Sequence, residues 1–134
     1  RWILSRAAGT SAAVEACLLD VDAVGATRAL SAYLDGLSTW YLRQSRRRFS
    51  RSDDPVDQAA AFATLHEALV ATTRLLAPIL PFVTDAMYQN LVVAVDDAAP
   101  DSVHLTAFPT ADLAPHRDTG LEASMAIAQR AVDL

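Results

Sequence analysis

The sequence has few of the residues that cross-linked domains and phosphate-binding loops require. Its 134 residues include one cysteine, Cys17, and only four glycines. A single cysteine excludes an internal disulfide framework, and we interpret Cys17 as a packing thiol in a reducing compartment. None of the glycine-rich spacings that cradle a phosphate group occurs. The sequence therefore argues against a disulfide-stapled scaffold and against a phosphate-loop enzyme.

Long apolar runs are absent as well. The most apolar stretches, at 75–83 and 91–95, are too short and too broken by proline or aspartate to cross a bilayer. No basic segment is followed by an apolar core and a small-residue cleavage site, so no secretory signal is predicted. We predict a cytoplasmic chain without membrane contacts, and its length suits a single domain over 1–134.

Residue patterns for catalysis or metal binding are missing too. The three histidines, His66, His104 and His116, lie in separate segments, and none has a second histidine or a cysteine at a ligand spacing on the same helix face. No serine occupies the strand-to-helix elbow that exposes a hydrolase nucleophile. We therefore predict no catalytic residue, no metal and no cofactor for this chain.

Apolar side chains recur every three or four residues, which predicts amphipathic helices. We expect helices over about 1–19, 22–49, 55–77, 81–95 and 118–134. In the third of these, Phe62, Leu65 and Leu69 are predicted to face the core. Short connections favour an all-α, up-down antiparallel bundle of four to five helices. Residues 102–109 alternate in character and end at proline, so we expect an extended strap rather than a sheet strand.

Local signals mark some helix ends and not others. Asp54 can cap the third helix, Pro55 fits its first position, and Asp57 complements the positive end of its dipole. The first predicted helix has no capping signal and the last has no stop signal. From these two ends we expect the chain to belong to a longer polypeptide.

Positive charge is concentrated in one short stretch. The net charge is -5, yet no acidic residue occurs between Gly36 and Ser52, where five arginines lie. On a helical projection Arg43, Arg46 and Arg47 fall opposite the apolar stripe. Guanidinium groups beside aromatic rings are typical of surfaces that meet unstacked RNA bases. We predict that the RNA-binding residues are Trp40, Arg43, Arg46, Arg47, Phe49 and Arg51.

Other interpretations of this stretch stay open. Cations in the last turn of a helix also complement the negative end of its dipole. Arg48 falls in line with the apolar stripe, so it is either a structural residue paired with Asp35 or Asp85 or an RNA contact. Trp40 is either a core aromatic or a stacking surface. A helical protein-interaction module, whose arginine patch docks an acidic partner or a neighbouring domain, is the alternative function.

Five motifs in this order resemble one protein family. They are RWILSR at 1–6, LSTWYLR at 37–43, SRRRF at 45–49, LAPILPF at 76–82, and SVHL at 102–105 followed by FP at 108–109. Together they resemble the helical anticodon-binding domain of class I aminoacyl-tRNA synthetases for isoleucine, valine and leucine. The arginine triplet is similar to that of the isoleucyl type. The chain departs from the family at Thr39, Ser50 and Phe108, where Asn, Trp and Trp are usual, and at 84–86.

The resemblance implies a function for the chain and for a parent enzyme. The bundle would bind the anticodon arm of tRNA(Ile) and position it for aminoacylation by a catalytic domain of the same polypeptide. The parent would be an ATP-dependent isoleucine-tRNA ligase that uses ATP and Mg. The family's nucleotide-binding motifs are absent from this sequence, so the chain itself is expected to be non-catalytic.

Overall fold

The protein is all-α in the computed structural model, which describes residues 1–50 and 53–132, and these residues contain no strand. This confirms the predicted fold class. The α-helices are α1 Trp2–Leu19, α2 Ala23–Asp35, α3 Arg43–Ser50, α4 Pro55–Leu76, α5 Pro81–Tyr88, α6 Thr110–Leu113 and α7 Thr119–Val132. Two π-helical segments, Gly36–Leu42 and Gln89–Val93, and two 3-10 turns, Val103–Leu105 and Ala114–His116, complete the described elements.

The direction of the helices follows from two core clusters. Ile3, near the start of α1, packs with Tyr33 near the end of α2 and with Ala68 of α4. Val14, late in α1, packs with Ala26 early in α2 and with residues at the end of α4. Because the order of contacts reverses between α1 and α2 and is kept between α1 and α4, α2 runs antiparallel to both. The start of α1 and the end of the α2–α3 run therefore share one end of the bundle.

The core face of α4 differs from the predicted one. Its buried residues include Ala61, Ala68 and Leu75, spaced by seven, whereas Phe62 is 50% exposed. A small alanine fits at position 68 because the large ring of Tyr33 is buried in the same core cluster, and a close-packed core leaves little room for a larger side chain there. The prediction that Phe62 faces the core is therefore wrong.

The turn between α1 and α2 contains an unusual backbone conformation. Asp22 N donates to Cys17 O at 2.7 Å and Val21 N donates to Leu18 O at 3.2 Å, which is the hydrogen-bond pattern of a Schellman motif. Val21 has a φ of 58°, the left-handed region that this motif normally gives to glycine. A β-branched residue at this position strains the turn.

The predicted strap over 102–109 is extended only in part. Ser102 and Thr106 have extended backbones, but Val103–Leu105 between them form a 3-10 turn. The turn is fixed from α5, because Asp85 Oδ1 accepts hydrogen bonds from Ser102 Oγ at 2.6 Å and from Val103 N at 3.1 Å. These bonds, the first more than the second, hold the pKa of the Asp85 carboxyl below its ordinary value of 3.8. The expectation of a uniformly extended segment is corrected accordingly.

The start of α7 is joined to α1 by hydrogen bonds to the buried hydroxyl of Ser5. Ser5 Oγ accepts from Asp118 N at 2.8 Å and donates to Glu122, which also pairs with Arg117 at 2.8 Å. A Cβ added at Gly9 would lie 1.7 Å from Nη1 of Arg117, so a larger residue here would displace the guanidinium where it crosses α1. The result is that α7 lies against α1 at the end of the bundle that carries α3.

Candidate nucleic-acid interface

The arginine-rich helix α3 is carried by a π-helical segment. Gly36–Leu42 joins α2 to α3 in one unbroken helical run. A π-helical turn displaces the usual backbone hydrogen bonds, and hydroxyl groups occupy some of the acceptors here. Ser38 Oγ donates to Leu34 O at 2.8 Å, and Thr39 Oγ1 donates to Asp35 O at 2.6 Å. Leu37 stays buried in the core, so the segment is anchored on its inner side.

Three arginines of α3 point into solvent. Arg43, Arg46 and Arg47 are all exposed. None of them takes part in an ion pair with another residue of the described ranges, where the pairs involve Arg48, Arg74, His116 and Arg117. The three guanidinium groups therefore give a locally positive surface to a chain of net charge -5. We call Arg43, Arg46 and Arg47 the arginine face.

Arg48 differs from its neighbours because it is bound to a carboxylate. Its Nε donates to Asp57 Oδ2 at 2.8 Å and its Nη2 donates to Asp57 Oδ1 at 2.6 Å. The hydrogen bonds from Arg48 lower the pKa of Asp57 and, reciprocally, raise the pKa of Arg48. Arg48 thus pairs with an acid, as one of its two interpretations predicted, but the acid is Asp57 rather than Asp35 or Asp85. Asp57 lies in the first turn of α4, which packs beside α3, and this bidentate pair joins the two helices.

The two predicted stacking residues have different surroundings. Phe49 is half-buried, and its ring lies 5.2 Å from that of Phe62 at a tilt of 47°. It also lines an open depression of about 810 Å³ together with Arg43 and Arg46. Trp40 is half-buried on another side of the same helical run. Part of the Phe49 ring therefore packs against Phe62, whereas part of the Trp40 side chain is exposed to solvent.

Trp40 lines a second depression that the sequence did not indicate. This groove has a volume of about 510 Å³ and lies between α1, the π-helical segment and α7. Trp2 and Arg6 contribute from α1, and Gln129 contributes from α7. We call this 510 Å³ depression the tryptophan groove. Arg43 lines both depressions, so the tryptophan groove and the arginine face are adjacent at this end of the bundle.

A family model for the anticodon-binding domain of tRNA ligases matches residues 1–134. The chain belongs to this family. The membership agrees with the resemblance carried by the five motifs. It also agrees with the helical bundle described above.

Relatives of this anticodon-binding domain are isoleucine-tRNA ligases. It is 42% identical over 134 residues to the one from Streptomyces avermitilis and 44% identical over 134 residues to the one from Deinococcus radiodurans. Each alignment covers the whole chain and 12% of the relative. The Thermus thermophilus ligase is 42% identical over 135 residues, again over the whole chain and over 13% of the relative. The chain thus spans about an eighth of the length of the curated relatives it matches.

The domain brings together most of the predicted RNA-binding residues. Trp40 and Arg43 meet in the tryptophan groove, and Arg43, Arg46 and Phe49 meet in the neighbouring depression, with Arg47 exposed on the same helix. Arg51 lies outside the described residues. Sequence reasoning missed Trp2, Arg6 and Gln129. The spacing of four between the first two placed them on one face of α1, but nothing in the pattern indicated which helix lies beside them.

Two further features of the anticodon-binding domain concern other kinds of site. Among residues 1–50 and 53–132, no helix is long and apolar enough to cross a membrane. The same residues contain no group of three or more histidine, cysteine, aspartate or glutamate side chains that could hold a metal ion.

Proposed function

We propose that this domain binds the anticodon arm of tRNA(Ile) as a non-catalytic part of an isoleucine-tRNA ligase. In this role it holds the tRNA so that the acceptor end reaches a catalytic domain elsewhere in the same polypeptide. That polypeptide would be the ATP-dependent ligase, with ATP and Mg bound outside this domain. The place of action would be the cytoplasm.

The observation that carries the proposal is the arginine face. Guanidinium groups that are exposed and unpaired are free to neutralise phosphates, which is the main source of protein–nucleic acid affinity. Arg43, Arg46 and Arg47 meet this condition within the described residues, whereas Arg48 already satisfies Asp57. The relatives are isoleucine-tRNA ligases, which supports tRNA(Ile) as the nucleic acid.

Two double variants of equal charge test the proposal. Arg46→Gln/Arg47→Gln removes two cations from the arginine face, and Arg28→Gln/Arg130→Gln removes two exposed cations from α2 and α7. We expect the first variant to bind a tRNA(Ile) transcript more weakly than the second at one fixed ionic strength. Equal binding by the two variants would contradict the proposal, because tRNA would then respond only to the net charge.

The alternative function predicts a different preference for the ligand. If the arginine face docks an acidic protein, an unrelated acidic polypeptide such as polyglutamate should bind, and its binding should depend on Arg46 and Arg47. In that case tRNA should not bind at the same ionic strength. In the longer ligase, anticodon-arm positioning predicts that Arg46→Gln/Arg47→Gln raises the KM for tRNA and leaves isoleucine-dependent pyrophosphate exchange unchanged. A loss of exchange activity would instead indicate damage to the catalytic domain.

A further inference from the structure

The tryptophan groove contains a combination of side chains that the arginine face lacks. Two indole rings, Trp2 and Trp40, line it together with two guanidinium groups, Arg6 and Arg43. Its volume of about 510 Å³ lies within the range of about 300–1,000 Å³ that small-molecule sites occupy. The groove is therefore large enough for one nucleotide.

Packing restricts the position of the first indole ring. Trp2 is half-buried and packs against the main core cluster. Gly36 of the π-helical segment faces the edge of this ring, since a Cβ added there would lie 3.6 Å from Cη2 of Trp2. Packing against the core restricts the rotation of the Trp2 ring at the wall of the groove. Ordering it on ligand binding requires little loss of conformational entropy.

The polar groups of the groove suit a nucleotide better than an apolar side chain. Gln44 and Gln129 carry amides that can both donate and accept hydrogen bonds, as the edges of nucleobases require, and Asp35 supplies an acceptor. Arg6 and Arg43 can neutralise a phosphate. An apolar peptide side chain would leave these groups without hydrogen bonds, which is unfavourable. The chemistry of the lining thus favours a base with its attached phosphate.

We propose that the tryptophan groove binds a single unpaired nucleotide of RNA. The base lies against Trp2 or Trp40, its edge faces the glutamine amides, and its phosphate lies near Arg6 and Arg43. The nucleotide must be unpaired and unstacked, because an indole ring can stack only on a base face that neighbouring bases do not cover. This inference rests on the proposed RNA-binding function and adds to it a second contact region with a defined ligand class.

Tryptophan fluorescence gives a direct readout, since Trp2 and Trp40 are the only tryptophans of the chain. The 134-residue chain is titrated with a single-stranded RNA hexamer of mixed sequence and, separately, with the same hexamer annealed to its complement. We expect saturable quenching by the single strand and little or no quenching by the duplex. No quenching by either, or equal quenching by both, overturns the proposal.

Three variants and a matched control test the residues. Trp40→Ala should weaken binding of the hexamer about 5- to 150-fold, the range for loss of one base–aromatic stack. Arg6→Gln and Gln129→Ala should weaken it several-fold and leave the helical circular dichroism spectrum unchanged. They keep the proposal testable if Trp40→Ala fails to fold. Arg130→Gln, next to Gln129 but not in the groove, should bind as the wild type does. Unchanged binding by Arg6→Gln and Gln129→Ala overturns the proposal.

The same measurements separate this inference from the proposed function. If tRNA binding depends on Arg46 and Arg47 while the hexamer causes no quenching, the groove proposal is wrong and the arginine face retains its role. If the hexamer quenches fluorescence and the groove variants weaken this effect, while Arg46→Gln/Arg47→Gln leaves tRNA binding unchanged, the arginine face has no role in tRNA binding and the groove proposal is supported.

Discussion

The salt dependence of RNA binding gives the most quantitative test of the arginine face. Each phosphate neutralised by a protein cation contributes about 0.7 to the slope of log affinity against log salt for single strands, and about 0.9 for a B-form duplex. Arg43, Arg46 and Arg47 are exposed and form no ion pair among residues 1–50 and 53–132, so they should together contribute a slope of about 2 to 3. Between about 50 and about 200 mM salt, this contribution alone weakens binding at least about 15-fold.

The perturbation is the triple variant Arg43→Gln/Arg46→Gln/Arg47→Gln. Its slope should be smaller than that of the wild type by about 2 to 3, and each single variant should lose about one unit. The assay is fluorescence anisotropy of a labelled anticodon stem-loop, repeated at several salt concentrations with each variant. Circular dichroism at each salt concentration verifies that the variants remain folded.

Arg48 supplies an internal contrast within the same helix. Because its guanidinium already binds the carboxylate of Asp57, Arg48→Gln should change the slope much less than Arg46→Gln and should lower the unfolding midpoint instead. A triple variant that keeps the wild-type slope would refute the role of the arginine face in RNA binding. Arg28→Gln, on a different helix, would refute it as well by lowering the slope as much as Arg46→Gln.

Three further predictions concern the stability of the fold. Ala68→Leu should lower the free energy of unfolding by about 1–3 kcal/mol through overpacking of a fully buried site, whereas the exposed control Ala63→Leu should not, as urea denaturation would show. Val21→Gly should raise the thermal midpoint, because it relieves a left-handed φ of 58° worth about 1–2 kcal/mol, and Val24→Gly within α2 should lower it. Asp85→Ala should lower the midpoint at neutral pH. Since the folded pKa of Asp85 is depressed, this stabilisation exists above the ordinary value of 3.8 and is lost as the pH falls through the folded pKa, so the midpoints should converge in acid.

Local signals in the sequence specified much of the local structure. Asp54 caps α4 by accepting from Val56 N at 2.9 Å, with Pro55 in the first turn, as the residue types require. The outward position of Arg43, Arg46 and Arg47 also followed from the helical period. These features depend on residues within one helix or at its end, so a projection of the sequence is sufficient to find them.

Features that depend on contacts between helices were not predictable in the same way. The spacing of apolar residues favoured Phe62 for the core, yet Ala68 is buried against Tyr33 and Phe62 pairs with Phe49. The acids predicted for Arg48 were Asp35 and Asp85, but the carboxylate that it binds belongs to Asp57, nine residues away at the start of α4. The tryptophan groove needs α1, α7 and the π-helical segment side by side, and no periodicity within one segment contains that information.

The end of the bundle opposite α3 has a different character. Leu19, Val21 and Val24 at the α1–α2 turn are between 68% and 88% exposed, and Phe82 beyond α4 is 90% exposed. Contacts made by apolar surface strengthen in sulfate, whereas contacts made by exposed charge weaken as ionic strength rises. Association through this apolar cluster and association through the arginine face should therefore respond to salt in opposite directions. A single titration with ammonium sulfate would show which of the two surfaces any association of this chain uses.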